Sequence, residues 1–388
     1  MARPFSARTF GLLLLALLTL LASPPRSTRG DDADLEKRKQ DLLLRLRVHR
    51  AIDEGAVWVA ARQQRDGSFR MEDNAQQGPF AESRHRFGTS ALATYTLAHC
   101  GYTAERKEIK RAVAYLRKHY ASLMKGEYWT QASAYSLSLV VLALHELYAR
   151  EGADDQTADR ARYGDSIRAR SNPCGYPKWV RKMIRQILDW LLESRAKEGL
   201  FRYPGGLPGQ PAPRRGGGGS GARPGGFGFP GGGPGRGPSF SGSEDLSNTQ
   251  YVLLALWAGS RCGTAIEQKT LEGIANRLIA WQEADGPPVA RTGDPQPEAR
   301  GPNRRYGNLG PPDQTDRARG FGYTPGAPPT GSMTAAGLSS LAIVKAMLEE
   351  RHALKGDLRT GIDRAAWDAI AWLTVNFSIR DNPRAGST

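Results

Sequence analysis

Apolar residues recur along this chain in pairs of segments, the first apolar on one face only and the second apolar on nearly all sides. In the clearest pair, residues 179–195 (WVRKMIRQILDWLLESR) have apolar positions three and four apart, and residues 247–260 (SNTQYVLLALWAGS) are almost wholly apolar. Such spacing predicts an outer helix with one buried face, followed by an inner helix that is packed on both sides. The other predicted helices are 52–64 with 89–100, 108–120 with 131–148, 267–282 with 333–348, and an outer helix at 363–377.

Short turns with glycine follow the predicted outer helices. Asp66-Gly67-Ser68-Phe69, Glu198-Gly199-Leu200-Phe201 and Asp285-Gly286 are three such turns. Glycine provides the left-handed residue that ends a helix, and the aromatic residue beyond it is expected to pack back on neighbouring helices. Because no segment alternates in the manner of a strand, the pattern predicts an all-α protein built from helical hairpin repeats.

The N-terminus has the features of a secretory signal. Arg3 and Arg8 precede a 13-residue apolar run that ends in small residues at Ala22. This run is shorter than the roughly 20 residues of a membrane span, so residues 1–22 are predicted to be a signal peptide that is cleaved near Ala22, with an uncleaved anchor as the alternative. The protein is therefore expected to be exported, to the periplasm, the envelope or the medium, with residues 23–49 as a linker or helix.

Two insertions interrupt the predicted repeat domain, residues 50–388. Residues 204–242 are rich in Gly, Pro and Arg, a composition that cannot form a core and predicts disorder. Residues 286–320 are polar and rich in proline, which predicts a long surface loop. No segment after the signal is expected to span a membrane.

The net charge of +15 favours anionic partners, or alternatively reflects arginine spread over solvated helix faces. Export makes an anionic envelope polymer a better candidate than nucleic acid, and no nucleic-acid partner is predicted. The three cysteines have no spacing typical of a zinc site, so neither a metal nor a cofactor is predicted. Cys100 and Cys262 are expected to be buried at helix ends.

Several turns and helix starts carry a family resemblance. Residues 58–69 (WVAARQQRDGSF), and Gly320-Phe-Gly-Tyr323 with Thr334-Ala-Ala-Gly337, resemble the prenyltransferase and squalene-oxidase repeats of the squalene-cyclase superfamily. The resemblance covers about residues 50–380 outside the two insertions. It implies an α/α toroid, in which two concentric rings of helices surround a central cavity.

The chemical motifs of that superfamily are altered here. The cyclases carry Asp-x-Asp-Asp-Thr-Ala before an inner helix, and the matching residues, 245–250, read Asp-Leu-Ser-Asn-Thr-Gln. Ser247 and Asn248 replace the two adjacent acids, and a hydroxyl cannot protonate an alkene. The Asp-x-Cys pair of the zinc prenyltransferases does not occur either. Neither ordinary squalene cyclisation nor zinc-dependent prenyl transfer is therefore expected.

The resemblance also indicates where a site would lie. Parallel inner helices would gather their N-termini at one rim of the cavity, where unpaired N–H groups favour a polar or anionic ligand group. The predicted ligand-binding residues are Arg86, Trp129, Gln131, Tyr135, Asn248, Tyr251 and Tyr323. If the protein is an enzyme, Asp245, His85 and Glu82 are the candidate acids and bases. Alternatively, Asp245 and Asn248 cap a helix, and the aromatic residues fill the space between the two rings.

Two functions remain open at this stage. The first is a binding protein that holds a hydrophobic molecule of the isoprenoid kind, or an envelope polymer, in the cavity. The alternative is an enzyme, either a divergent terpenoid cyclase or a lyase or hydrolase of an envelope polymer. Because such rings close with about six hairpins and only the fifth outer helix follows the fourth pair, we expect a C-terminally truncated chain, a partner that completes the ring, or self-association through the open edge.

Overall fold

A computed structural model describes residues 29–69, 79–124, 134–149, 176–195, 200–201, 244–291, 315–378 and 380–383. Side chains are described from residue 34 onwards, apart from residues 79–85 and 123–124. The predicted signal peptide, residues 1–22, and the predicted disordered insert, residues 204–242, lie outside the described residues.

The prediction of a helical protein is confirmed. The described residues form nine helices and one pair of three-residue strands. The helices are α1 (Arg29–Ala61), α2 (Pro79–His99), α3 (Lys107–Met124), α4 (Ala134–Tyr148), α5 (Lys178–Glu193), α6 (Leu246–Arg261), α7 (Gln268–Trp281), α8 (Gly331–Glu349) and α9 (Gly356–Asn376). The strands are β1 (Pro288–Ala290) and β2 (Thr315–Arg317).

Helix α1 is longer than the sequence pattern predicts. It joins the predicted linker and the first outer helix into one helix of 33 residues, because no glycine or proline interrupts residues 31–54. Arg38–Asp34 and Arg50–Glu54 pairs, each one turn apart, give it further local support. The chain divides into two compact units at this helix, Met1–Trp58 and Val59–Thr388.

Within the second unit, the four predicted inner helices are α2, α4, α6 and α8, and the extensive contacts among them join each helix to the next. The N-terminal half of each helix contacts the N-terminal half of its neighbour, and the C-terminal ends likewise contact each other. Near the starts, Tyr135 of α4 bonds Ser247 of α6, and near the ends His145 of α4 contacts Cys262 just after α6. Between α6 and α8, Gln250 in the second turn of α6 bonds Ser339 in the middle of α8, and Arg261 at the end of α6 pairs with Glu350 just after α8. Neighbouring inner helices are therefore parallel.

The predicted outer helices pack against this layer. Helix α3 contacts α2, α5 contacts α4 and α6, and α7 and α9 both contact α8. The contact between α5 and α6 is close, since a Cβ at Gly259 would lie 2.1 Å from Cδ1 of Leu188. The hydrophobic core runs through these interfaces, with Ile184, Leu188 and Leu256 among its fully buried members.

Three buried phenylalanines make the same contact after three outer helices. In each case the phenylalanine N–H donates to a hydroxyl of the following inner helix. The pairs are Phe69 with Ser90 (2.9 Å), Phe201 with Thr249 (3.2 Å) and Phe321 with Thr334 (3.1 Å). The aromatic residues expected to pack back after the first two turns, Phe69 and Phe201, therefore do so.

The prediction that residues 286–320 form only a surface loop is wrong at both ends of the segment. Strands β1 and β2 pair antiparallel there, and Arg291 forms an ion pair with Asp316 at 2.6 Å. Arg319 pairs with Asp368 of α9, and Ala318 is buried. Three-residue strands are too short to show an alternating pattern in the sequence, which is why the pattern missed them.

Among the described residues, one helix, α8, is long and apolar enough to cross a membrane by length and composition. Half of its apolar window is buried against the rest of the protein, as in the core helix of a folded domain.

Candidate functional site

The residues around the start of α6 form a connected polar cluster centred on Asp245. This carboxylate is almost completely buried, and the backbone N–H of Asn248 donates to its Oδ1 at 3.0 Å. Asp245 is therefore the N-cap of α6, as the capping interpretation of this motif predicts. The Ser247 hydroxyl also donates to Oδ1, at 2.6 Å.

The second carboxylate oxygen of Asp245, Oδ2, also accepts two hydrogen bonds. Asn248 Nδ2 donates to Oδ2 at 2.7 Å, and the Tyr323 hydroxyl donates to it at 2.9 Å. Tyr323 comes from the segment before α8, and its carbonyl accepts the N–H of Leu246 at 3.2 Å. Each carboxylate oxygen thus accepts two hydrogen bonds, which is the capacity of its lone pairs.

Two tyrosines extend the cluster onto neighbouring helices. The Tyr135 hydroxyl of α4 donates to the Ser247 hydroxyl, which in turn donates to Asp245. The rings of Tyr135 and Tyr251 meet edge to face, with centroids 4.8 Å apart. Five of the predicted site residues therefore come together here: Tyr135, Asp245, Asn248, Tyr251 and Tyr323.

A half-buried strip leads away from this cluster along α6. Tyr251, Leu254 and Trp257 are half-buried at helical spacing, while Val252 and Leu256 between them are fully buried. The strip lies roughly opposite Gly259, the position that α5 covers, as expected from about 100° of rotation per residue. We call Tyr251, Leu254 and Trp257 the aromatic strip.

A second polar group lies at the far end of the aromatic strip. The Tyr176 hydroxyl is 2.9 Å from His145 Nδ1, and Cys262 Sγ is 3.8 Å from the same nitrogen. The edge of the His145 ring also meets Trp257, at 5.6 Å between centroids. Burial raises the pKa of Cys262 to about 12, so this thiol stays protonated at neutral pH and is a poor nucleophile.

The sequence pattern does not indicate this far-end group, because His145 and Cys262 end different helices and are 117 residues apart in the chain. The expectation that Cys262 is buried is nevertheless confirmed, whereas Cys100 is only half-buried. The residues around Tyr176 (NPCGYP) give no local sign in the sequence that this tyrosine contacts α4. Among the described residues, no group of three or more His, Cys, Asp or Glu side chains could hold a metal ion.

Arg86 lies in a different place from the Asp245 cluster. Its charge acts on Asp66, Tyr115 and His119, which belong to the turn after α1 and to the outer helix α3. Helix α2 begins at Pro79, ten residues before the predicted start, so Arg86 lies in its third turn and not just ahead of it. The geometry thus assigns Arg86 to the packing of α2 on α3.

Four predicted site residues remain untested by this geometry. Glu82 and His85 lie within α2, but their side chains are outside the described residues, as are Trp129 and Gln131 entirely.

The chain was also compared with known proteins. No protein-family model matches it, and neither a curated protein nor a solved structure matches it. The contacts of its own residues are therefore the basis for a functional proposal.

Proposed function

We propose that this protein binds an elongated hydrophobic molecule of the isoprenoid kind along its inner helices, with a polar group of the ligand near Asp245 and Tyr323. The observation that carries the proposal is the aromatic strip, which leaves large apolar side chains partly exposed between two polar groups. The span from Ser247 to Trp257 is about 15 Å at 1.5 Å per residue, enough for a chain of several isoprene-sized units. Aromatic rings and apolar side chains around a few polar groups are typical of small-molecule sites.

The arrangement proposed for the whole repeat domain is the α/α toroid that the family resemblance implies. Parallel inner helices with outer helices packed against them support that arrangement. In such a ring the aromatic strip would face the central cavity. The export of the protein and the completion of the ring by a partner or a second copy are part of the same proposal.

An enzymatic function with Asp245 as the acid has less support. A proton for an alkene or an epoxide would have to sit on Oδ1 or Oδ2, where two donors are already bound to each oxygen. Ser247 and Asn248 donate hydrogen bonds to the carboxylate in the place where the cyclases have further acids. The motif therefore retains its position at the helix start and serves there as a cap.

Binding can be tested directly with farnesol and squalene as probes. We expect the full chain to bind at least one of them, with a change in tryptophan fluorescence because Trp257 lies in the aromatic strip. Leu254→Asp should weaken binding roughly tenfold or more, since binding would have to desolvate a charge in the middle of an apolar contact. Titration by fluorescence and by calorimetry gives the dissociation constants.

The matched control is Ile370→Asp, which places the same charge at an exposed apolar position of the outer helix α9. Its affinity should equal that of the wild type, and circular dichroism should show both variants folded. Failure of the wild type to bind either probe, or equal affinities for the two variants, would contradict the proposal.

We also expect no cyclisation of squalene or oxidosqualene by the purified full chain. Products are measured by gas chromatography, with an active squalene cyclase assayed in parallel to establish detection. A cyclic triterpene above the level of a boiled sample would show that Asp245 or another acid supplies the proton that Ser247 and Asn248 cannot, and would favour the enzyme alternative.

A further inference from the structure

Helix α1 contains a segment that combines positive charge with exposed apolar side chains. Residues 37–50 (KRKQDLLLRLRVHR), here called the basic leucine segment, contain six Lys or Arg and one Asp. Leu42, Leu43, Leu44, Leu46 and Val48 are between 46% and 62% exposed. Folded proteins seldom leave so many neighbouring large apolar residues in contact with water without a partner for them.

The charges of this segment are only partly neutralised. Arg38, Lys39 and Arg50 pair with acidic residues on the same helix, at 2.9, 3.4 and 2.8 Å. All three pairs are solvated on both sides, so they are weak and can exchange for another anion. Lys37, Arg45 and Arg47 form no ion pair among the described residues, and all three are exposed.

From this combination we propose that the basic leucine segment binds an anionic lipid surface, with α1 lying in the plane of the headgroups. The leucines would enter the boundary between headgroups and acyl chains, while the lysines and arginines contact lipid phosphates. Each cation near such a surface adds about fivefold to the affinity.

A second copy of α1 fits this segment less well. A parallel, in-register pair places every residue beside its own copy, so Arg45 and Arg47 would repel their equivalents. An antiparallel pair centred on Leu44 places Arg38 opposite Arg50, which opposes the attraction between Arg47 and Asp41 in the same register. Neither pairing therefore gains from these charges, whereas an anionic surface attracts the segment along its whole length.

A polyanion without an apolar phase fits less well for a different reason. It would contact the cations but would leave Leu42, Leu43 and Leu46 in water. A lipid surface satisfies both the charged and the apolar side chains, which favours it over a polyanion.

The test measures binding of the full chain to vesicles of phosphatidylcholine, with and without phosphatidylglycerol, by co-sedimentation. We expect binding to the anionic vesicles that weakens as NaCl is raised. The charge variant K37Q/R45Q/R47Q should lose affinity about a hundredfold, and the apolar variant L42S/L43S/L46S roughly tenfold or more. The matched controls are K269Q/K355Q/R359Q for the charge variant and V375S/F377S for the apolar variant. They change exposed residues in α7, in α9 and at the two caps of α9. Both controls should bind the vesicles as the wild type does.

Hydrogen exchange of the full chain separates this segment from any contribution of residues 1–22. Peptides covering residues 37–50 should gain protection when anionic vesicles are added, and those covering 357–376 should not. The charge variant should lose this gain.

Three results would overturn the proposal. The first is equal binding to neutral and anionic vesicles with no protection of residues 37–50. The second is unchanged vesicle binding in the apolar variant together with a fall in its mass by light scattering, which would assign the leucines to self-association. The third is binding to heparin that the charge variant loses, with vesicle binding unaffected in both variants.

Discussion

Replacing Phe321 with alanine should lower the free energy of unfolding by about 3–5 kcal/mol, the usual cost of removing a buried ring. Phe321 is fully buried, and its backbone N–H donates to Thr334 at the start of α8. Its ring also lies against Gly337, where a Cβ would come within 2.5 Å of ring carbons. Loss of the ring therefore leaves a cavity beside the backbone of an inner helix. Urea denaturation followed by circular dichroism measures the effect.

A second substitution at Gly337 makes this prediction specific. In the wild type, Gly337→Ala should destabilise by about 1 kcal/mol, because the strain against the ring exceeds the gain in helix propensity. In the Phe321→Ala background the same change should stabilise by about 1 kcal/mol, since the new methyl group enters the cavity. The same sign in both backgrounds would show that the two residues are not in contact. Phe377→Ala, at a residue that is 75% exposed, should cost less than about 0.5 kcal/mol.

Replacing Asp245 with alanine should lower the free energy of unfolding by about 2–4 kcal/mol. The change removes the N-cap of α6, worth about 1 kcal/mol. It also leaves the buried side-chain N–H of Asn248 without an acceptor, at a further cost of about 1–3 kcal/mol. The Tyr323 hydroxyl loses its acceptor too, but it is 40% exposed and can bond water instead.

Two companion variants separate the cap from the rest of the cluster. Asp245→Asn keeps an oxygen that accepts the backbone N–H of Asn248 but turns an amide NH2 toward the side-chain N–H of Asn248. It should therefore recover only the cap, about 1 kcal/mol of the loss in the alanine variant. Glu267→Ala removes the N-cap residue of α7, which makes no side-chain capping bond, and should change stability by less than about 0.5 kcal/mol. If Asp245→Ala and Glu267→Ala had the same free energy of unfolding, the capping role of Asp245 would be contradicted.

The helical spacing of apolar residues predicted most of the helices, because a buried helix face requires apolar residues three and four positions apart in the sequence. It failed for the first turns of α2, where residues 79–88 (PFAESRHRFG) are mostly polar and show no apolar period. It also divided α1 in two, because residues 23–49 were assigned to a separate linker or helix ahead of the first outer helix. In both places the helix continues on local propensity, which the spacing of apolar residues does not record.

The candidate site was predictable only where its residues are close in the chain. Asp245 and Asn248 are three residues apart, and their residue types alone indicate a cap. The bond from Tyr323 to Asp245 spans 78 residues and depends on how the segment before α8 meets α6. Arg86 was placed with this cluster only because it was expected just ahead of an inner helix, and the early start of α2 removes that reason.

The side-by-side order of the inner helices has a consequence for how the domain responds to change. Among the described residues, α4 and α6 each pack between two inner neighbours, whereas α2 and α8 stand at the two ends of the series. We therefore expect the stability of the domain to follow the sum of its neighbouring interfaces, as in a stack. A substitution is then felt most strongly one helix away and less with each further step. An insertion as long as residues 204–242 can be accommodated between two packed helices such as α5 and α6, because their interface depends on adjacency in space and hardly on the length of chain that connects them.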